Sequence, residues 1–109
     1  MVSDALWAGL PVLTAPGPNF ASRVGASLLT AVGLPELICP SRQAYVAMAV
    51  ELALDPARMG ALRQKLAQNR LKSPLFDIDS FRREIEAAFR EMNARQKRGE
   101  RPASFTAKA

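Results

Sequence analysis

Three groups of residues could do chemistry in this chain: a carboxylate at Asp4, the turn Pro16-Gly17-Pro18-Asn19, and a solitary arginine, Arg23. Asp4 precedes an apolar helix that leads into a strand and a Pro-Gly loop. In doubly wound sheets ligands gather at the carboxyl ends of strands, where a carboxylate can accept hydrogen bonds from both hydroxyls of a ribose. The same aspartate also reads as a helix-capping residue, and spacing alone favours capping. The turn could bring backbone N–H groups to an anion at the N-terminus of the following helix. It holds one glycine and its prolines remove donors, so a structural turn is the simpler reading. Arg23, isolated on an apolar stretch, could clamp a phosphate with two hydrogen bonds or pair with a buried carboxylate.

Other chemistry is excluded by composition. The 109 residues contain no histidine, which removes Ser-His-Asp and Cys-His nucleophiles, the usual general base near neutral pH, and imidazole metal ligands. No catalytic residue, metal site or cofactor is expected. The single cysteine, Cys39, sits in the apolar stretch Glu36-Leu37-Ile38-Cys39 and reads as a buried thiol in a reducing compartment. The chain shows neither a signal-like leader nor an apolar run of about 20 residues, so a cytoplasmic protein with no membrane partner is expected.

Charge is uneven. Residues 1–55 carry two basic and four acidic residues, whereas residues 56–109 carry thirteen and six. In the second half Arg82, Arg83 and Arg90 alternate with Glu84, Glu86 and Glu91, the pattern of a solvated helix face. Tyr45 and the phenylalanines read mostly as core positions, which argues against a nucleic-acid-stacking surface.

Hydrophobic spacing supplies the elements that must position these residues. Residues 2–8 read as the end of a helix closed by Gly9, and Pro11-Val12-Leu13-Thr14-Ala15 as a short buried strand. Residues 21–32 form an apolar helix capped by Gly33, and residues 36–39 a second short strand stopped by Pro40. Ser41 caps a helix over 42–54, Asp55-Pro56 opens another with Met59, Leu62 and Leu66 on one side, and Ser73-Pro74 ends it. Asp77 caps a last helix in which Phe81, Ile85, Ala88, Phe89 and Met92 share one face. Strands alternating with helices predict a parallel sheet covered by helices, and two strands alone suggest the edge of a larger sheet.

The ordered motifs Asp4-Ala5-Leu6-Trp7-Ala8-Gly9-Leu10-Pro11-Val12, Leu13-Thr14-Ala15-Pro16-Gly17 and Ala21-Ser22-Arg23-Val24-Gly25-Ala26-Ser27 resemble the end of the O-linked N-acetylglucosamine transferase (SPINDLY-type) family. The likeness continues through Gly33-Leu34-Pro35-Glu36-Leu37-Ile38, the Tyr45 helix and Ser73-Pro74-Leu75-Phe76-Asp77. It covers nearly the whole chain apart from the tail. The resemblance implies an inverting glycosyltransferase with tetratricopeptide repeats and two Rossmann-like halves of the GT-B type, the second of which binds the nucleotide of UDP-N-acetylglucosamine. By resemblance Asp4 holds the uridine ribose, with Pro16, Gly17 and Arg23 as supporting loop residues. The family's threonine-rich phosphate turn would lie just before Asp4, where only Met1-Val2-Ser3 stands. Its histidine and lysine residues for donor binding and catalysis would lie further upstream.

The expected fold is therefore α/β and helix-dominated: a partial Rossmann-like GT-B half with two short parallel strands and about five helices. Residues 1–94 would form a partial UDP-binding lobe with C-terminal helices, and residues 95–109 a flexible basic tail. The expected function is a fragment of a nucleotide-binding lobe that is not catalytically complete alone. UDP or a UDP-sugar would be a weak ligand, and the missing upstream lobe or a homodimer partner would cover the chain. The alternative is a self-associating or protein-interaction module that binds no nucleotide.

Overall fold

The computed structural model describes residues 1–108. Five α-helices follow in order: α1 (Val2–Trp7), α2 (Phe20–Ala31), α3 (Arg42–Leu54), α4 (Pro56–Asn69) and α5 (Ile78–Lys97). Two single 3₁₀ turns, Pro35–Leu37 and Pro74–Phe76, lie between them. Contacts divide the chain into two compact units, the first ending at Phe76 and the second beginning at Asp77.

Helix starts follow local chemistry. The side chains of Asn19, Ser41, Asp55 and Asp77 each accept a hydrogen bond from the backbone N–H three residues on, at 2.9–3.1 Å. Each satisfies one of the donors that a helix N-terminus leaves free. Pro56 occupies the first position of α4, where a missing N–H costs nothing. Helix α5 runs to Lys97 and ends on an αR residue, Arg98, followed by Gly99 at φ 73°.

The expected parallel strands do not form. Among the described residues the β-structure is one isolated parallel bridge between Thr14 and Ile38, in which Thr14 donates to Leu37 (3.1 Å) and Cys39 donates to Thr14 (2.7 Å). The fold is helical, without a strand or sheet, and the Rossmann-like expectation is corrected accordingly. Pro35 starts a 3₁₀ turn inside the second presumed strand, while Pro11 and Pro40 flank the bridge without donors. A two-stranded parallel pair has too few ladder bonds to persist beyond such a contact.

Packing in the first unit centres on Leu6, Leu29, Val32, Leu34, Leu37, Leu52, Leu62 and Leu66. One residue comes from α1, one from α2, one from α3 and two from α4, so the cluster gathers four helices through the turn around Leu34 and Leu37. Val12, Leu13, Leu28, Ile38, Met48, Leu75 and Phe76 pack against it. Cys39 is fully buried, with Sγ 4.0 Å from Met48 Sδ, as read from its apolar neighbours. Aromatic residues depart from expectation: Phe20, Phe81 and Phe89 are well exposed and Tyr45 is partly so. Periodicity marks the apolar face of a helix without showing that anything in the same chain covers it.

Gly33 is required twice. Its φ is +77°, which L side chains rarely adopt, and a Cβ there would come within 2.7 Å of Asn69 Nδ2. That amide donates to the carbonyls of Val32 (3.0 Å) and Gly33 (3.4 Å) at the end of α2. Truncating the fully buried Leu66→Ala should destabilise the first unit by about 2–5 kcal/mol. Urea unfolding followed by Trp7 fluorescence measures the loss.

Candidate functional site

Helix α1 carries the first candidate. It has only six residues, too few to be stable in isolation, and is held by burial of Leu6 in the core. Asp4 lies in its first turn, yet its side chain caps no backbone N–H. Its carboxylate is 89% exposed and 3.3 Å from the terminal amine of Met1. Capping, the reading that spacing favoured, is not what this side chain does.

The loop of the second candidate is self-satisfied. The Gly17 N–H donates to the carbonyl of Ser22 at 3.2 Å, and a Cβ at Gly17 would meet Ser22 Oγ at 2.6 Å. Ser22 Oγ in turn donates to the Asn19 carbonyl at 3.0 Å, while Asn19 caps α2. The glycine therefore lets the loop close on the helix start, and its N–H is not directed at open space. Pro16 and Pro18 add no donors.

Arg23 is exposed in the first turn of α2 and makes no ion pair among the described residues. The structural alternative required a buried carboxylate, and among the described residues no charged side chain is buried. Helices α1 and α2 pack against each other, which brings the three candidates onto neighbouring elements. No hydrogen bond or ion pair links Asp4 with Gly17 or Arg23.

Sequence reasoning missed a cluster that fixes α1. Arg70 Nη1 donates to the carbonyl of Trp7 at 2.6 Å, and its guanidinium lies 5.1 Å from the indole centroid. Phe76 meets the same indole edge-on, with centroids 5.0 Å apart and planes at 62°. Arg70 Nε and Ser73 Oγ are buried there without a hydrogen-bond partner. The contact spans 63 residues, so no local spacing could have announced it.

Each unit also carries a concave surface. An open cleft of about 530 Å³ in the first unit is lined by Val12, Leu13, Leu37, Tyr45, Leu52 and Met59, among others. Only the Tyr45 hydroxyl gives its side chains polarity. A wider depression of about 800 Å³ in the second unit lies between α5 and the following segment, with Phe105 stacked 4.6 Å from the Arg95 guanidinium. Its arginines are already engaged: Arg83 with Asp79, Arg90 with Glu86 (3.5 Å) and Arg95 with Glu91 (2.6 Å). The adjacent guanidinium groups, Arg82 by hydrogen bond and Arg83 by charge, hold the Asp79 carboxyl below the usual carboxylate range. Among the described residues no three acidic or sulfur side chains converge as a metal site, and no helix is long and apolar enough to cross a membrane.

Asp4 presents an exposed carboxylate and Arg23 an exposed guanidinium, and no nucleophile–base pair accompanies them. Comparison with known sequences supplies the family: residues 1–85 match the profile of glycosyl transferase family 41. Three relatives are named as UDP-N-acetylglucosamine–peptide N-acetylglucosaminyltransferases. The SPINDLY protein of Hordeum vulgare, described as probable, is 40% identical over 92% of this chain and 11% of its own length. The Caenorhabditis elegans enzyme is 38% identical over 88% and 8%. The SEC protein of Arabidopsis thaliana, also described as probable, is 36% identical over 94% and 11%. The chain belongs to glycosyl transferase family 41. It spans about a tenth of the length of these relatives.

An electrostatic contact in the same unit is open to test. Burial pushes the Glu36 carboxyl up, but the hydrogen bond from Lys65 (2.8 Å), a backbone hydrogen bond and the ammonium charge outweigh it. The group is held below its ordinary value of 4.5. A depressed folded value gives stability that is present above the unfolded pKa and lost as pH falls through the folded one. Both side chains are more than a third exposed, so solvent screening limits the gain to about 1 kcal/mol or less. Glu36→Gln should remove that stability at pH 7 and leave the chain equal to the parent well below pH 4, as urea unfolding at both pH values would report.

Proposed function

We propose that this chain supplies part of the UDP-sugar site of a protein glycosyltransferase and does not complete the reaction alone. Residues 1–94 would belong to the nucleotide-binding lobe with its C-terminal helices, and residues 95–109 would be a basic tail that begins in the last turn of α5. The observation that carries this reading is the Asp4 carboxylate: it stands 89% exposed on a helix that Leu6 and Arg70 hold in place, and it caps nothing. An exposed carboxylate on an anchored helix, met on one side by the terminal amine, keeps acceptor capacity for a ribose, whose two hydroxyls are both donors.

Each residue has a restricted role. Asp4 accepts the ribose hydroxyls. Arg23 offers a guanidinium free of carboxylate partners to a phosphate, and Pro16 and Gly17 hold the start of α2 so that Arg23 keeps its position. These roles bind and orient. Glycosyl transfer also needs an acceptor site and groups that stabilise the leaving diphosphate, and a chain without histidine offers no imidazole for proton transfer. UDP-N-acetylglucosamine as donor and a peptide as acceptor follow from the names of the relatives. The buried free thiol of Cys39 fits a reducing compartment such as the cytoplasm.

The test is amide NMR of the labelled chain titrated with UDP. Millimolar UDP should shift resonances around Asp4 and Gly17, and Asp4→Ala should weaken the response about tenfold or more, the scale of a lost charged hydrogen bond. A spectrum indifferent to UDP would sink the nucleotide role. Turnover of UDP-N-acetylglucosamine on a peptide by the isolated chain would sink the claim of incompleteness.

A further inference from the structure

Helix α1 ends one backbone bond short. A helix leaves its last four carbonyls without partners inside it, and here those of Asp4, Ala5 and Leu6 accept from the N–H groups of Ala8, Leu10 and Gly9 at 2.9, 2.9 and 3.1 Å. The carbonyl of Trp7 has no backbone donor and accepts from Arg70 Nη1 instead, at 2.6 Å. The same guanidinium lies 5.1 Å from the centroid of the Trp7 ring, against which Phe76 also packs. Its Nε is withdrawn from water, so solvent competes little for the bond to Trp7. Arg70 is itself well fixed. Its N–H donates to the carbonyl of the fully buried Leu66 at 2.8 Å, and its neighbour Asn69 is bonded to the end of α2. All of these residues belong to the first unit.

We propose that Arg70 is a positioning residue for the nucleotide: it meets no ligand and acts by keeping α1, and with it Asp4, docked on the first unit. This role rests on the reading of Asp4 as the ribose-binding carboxylate. A six-residue helix is marginal by itself, so a docking equilibrium sets the fraction of chains that present Asp4 in place. Apparent affinity falls in proportion to that fraction. A charge-assisted hydrogen bond shifts such an equilibrium by roughly tenfold or more, which makes Arg70 a strong determinant of it. Arginine is the residue the geometry asks for. Its planar fork donates to the Trp7 carbonyl while its face covers the indole, whereas a lysine ammonium supplies a donor and a charge without the flat contact.

Two measurements on the full labelled chain test the role. Arg70→Met should speed hydrogen exchange of the Ala8, Gly9 and Leu10 amides about tenfold or more relative to amides of the core helices, with no ligand present. It should also raise the dissociation constant for UDP about fivefold or more in chains whose core resonances show them folded, and Arg70→Lys should recover part of both losses. Added to Asp4→Ala, Arg70→Met should change UDP affinity by less than about twofold, because a residue that acts through Asp4 has nothing left to act on. If Arg70→Met does not fold, Arg70→Gln takes its place with the same expectations. Parent-like exchange at the three amides, parent-like UDP affinity in the folded variant, or a full further loss in the double variant, as from a direct phosphate contact, would each overturn the positioning role and leave that of Asp4 standing. A parent chain indifferent to UDP would instead overturn the nucleotide reading, and this role with it.

Discussion

The end of α2 turns inward, and its last carbonyls need donors that water does not supply. Asn69, at the end of α4, meets that need: one amide nitrogen reaches the carbonyls of both Val32 and Gly33 from 36 and 37 residues away. Unsatisfied buried carbonyls are expensive, so this contact sets where α4 can lie against α2. Gly33 leaves room for the amide, and Leu66, one turn earlier on α4, is fully buried beside it in the core. The next residue, Arg70, fixes the carbonyl and ring of Trp7 and so ties α1 to the same point. One helix end thus sets the position of three helices.

The proposed binding role depends on that arrangement more than on any reactive group. A six-residue helix has no stability of its own, so the position of α1, which carries Asp4, is a consequence of how Leu6, Trp7, Arg70 and Phe76 pack. The loop at Gly17 is tied down in the same way, its N–H engaged by Ser22 and its neighbour Asn19 engaged in capping α2. A fixed backbone lowers the ordering cost that a ligand at the proposed site would otherwise meet.

The charged and apolar surfaces behave differently. On α5 Asp79, Arg82, Arg83, Glu86, Arg90, Glu91 and Arg95 each find an opposite charge within a turn or so, whereas Glu84 makes no ion pair among the described residues. The apolar stripe on the same helix finds no such satisfaction within its unit, and α3 likewise exposes Val46, Val50 and Leu54. Small domains bury a limited fraction of their apolar surface, and contiguous exposed stripes are where a second surface gains most by binding.

Several elements were legible because their causes are local. Ser41, Asp55 and Asp77 announce helix starts by side chains that reach only three residues ahead, and Pro56 and Gly33 mark a start and a stop by their own backbone limits. Family membership was legible for the same reason, since it rests on ordered short motifs. The strands were not: an apolar run such as Val12-Leu13-Thr14 can extend a ladder only if a neighbour pairs along it, and here the contact stops at Thr14 and Ile38. Nor could spacing show that Asp4 caps nothing or that Arg23 lacks a partner. By itself the sequence determined helix boundaries, the absence of imidazole chemistry and the family. Tertiary structure alone decided which faces are buried and which polar groups stay free, because those depend on contacts between residues tens of positions apart.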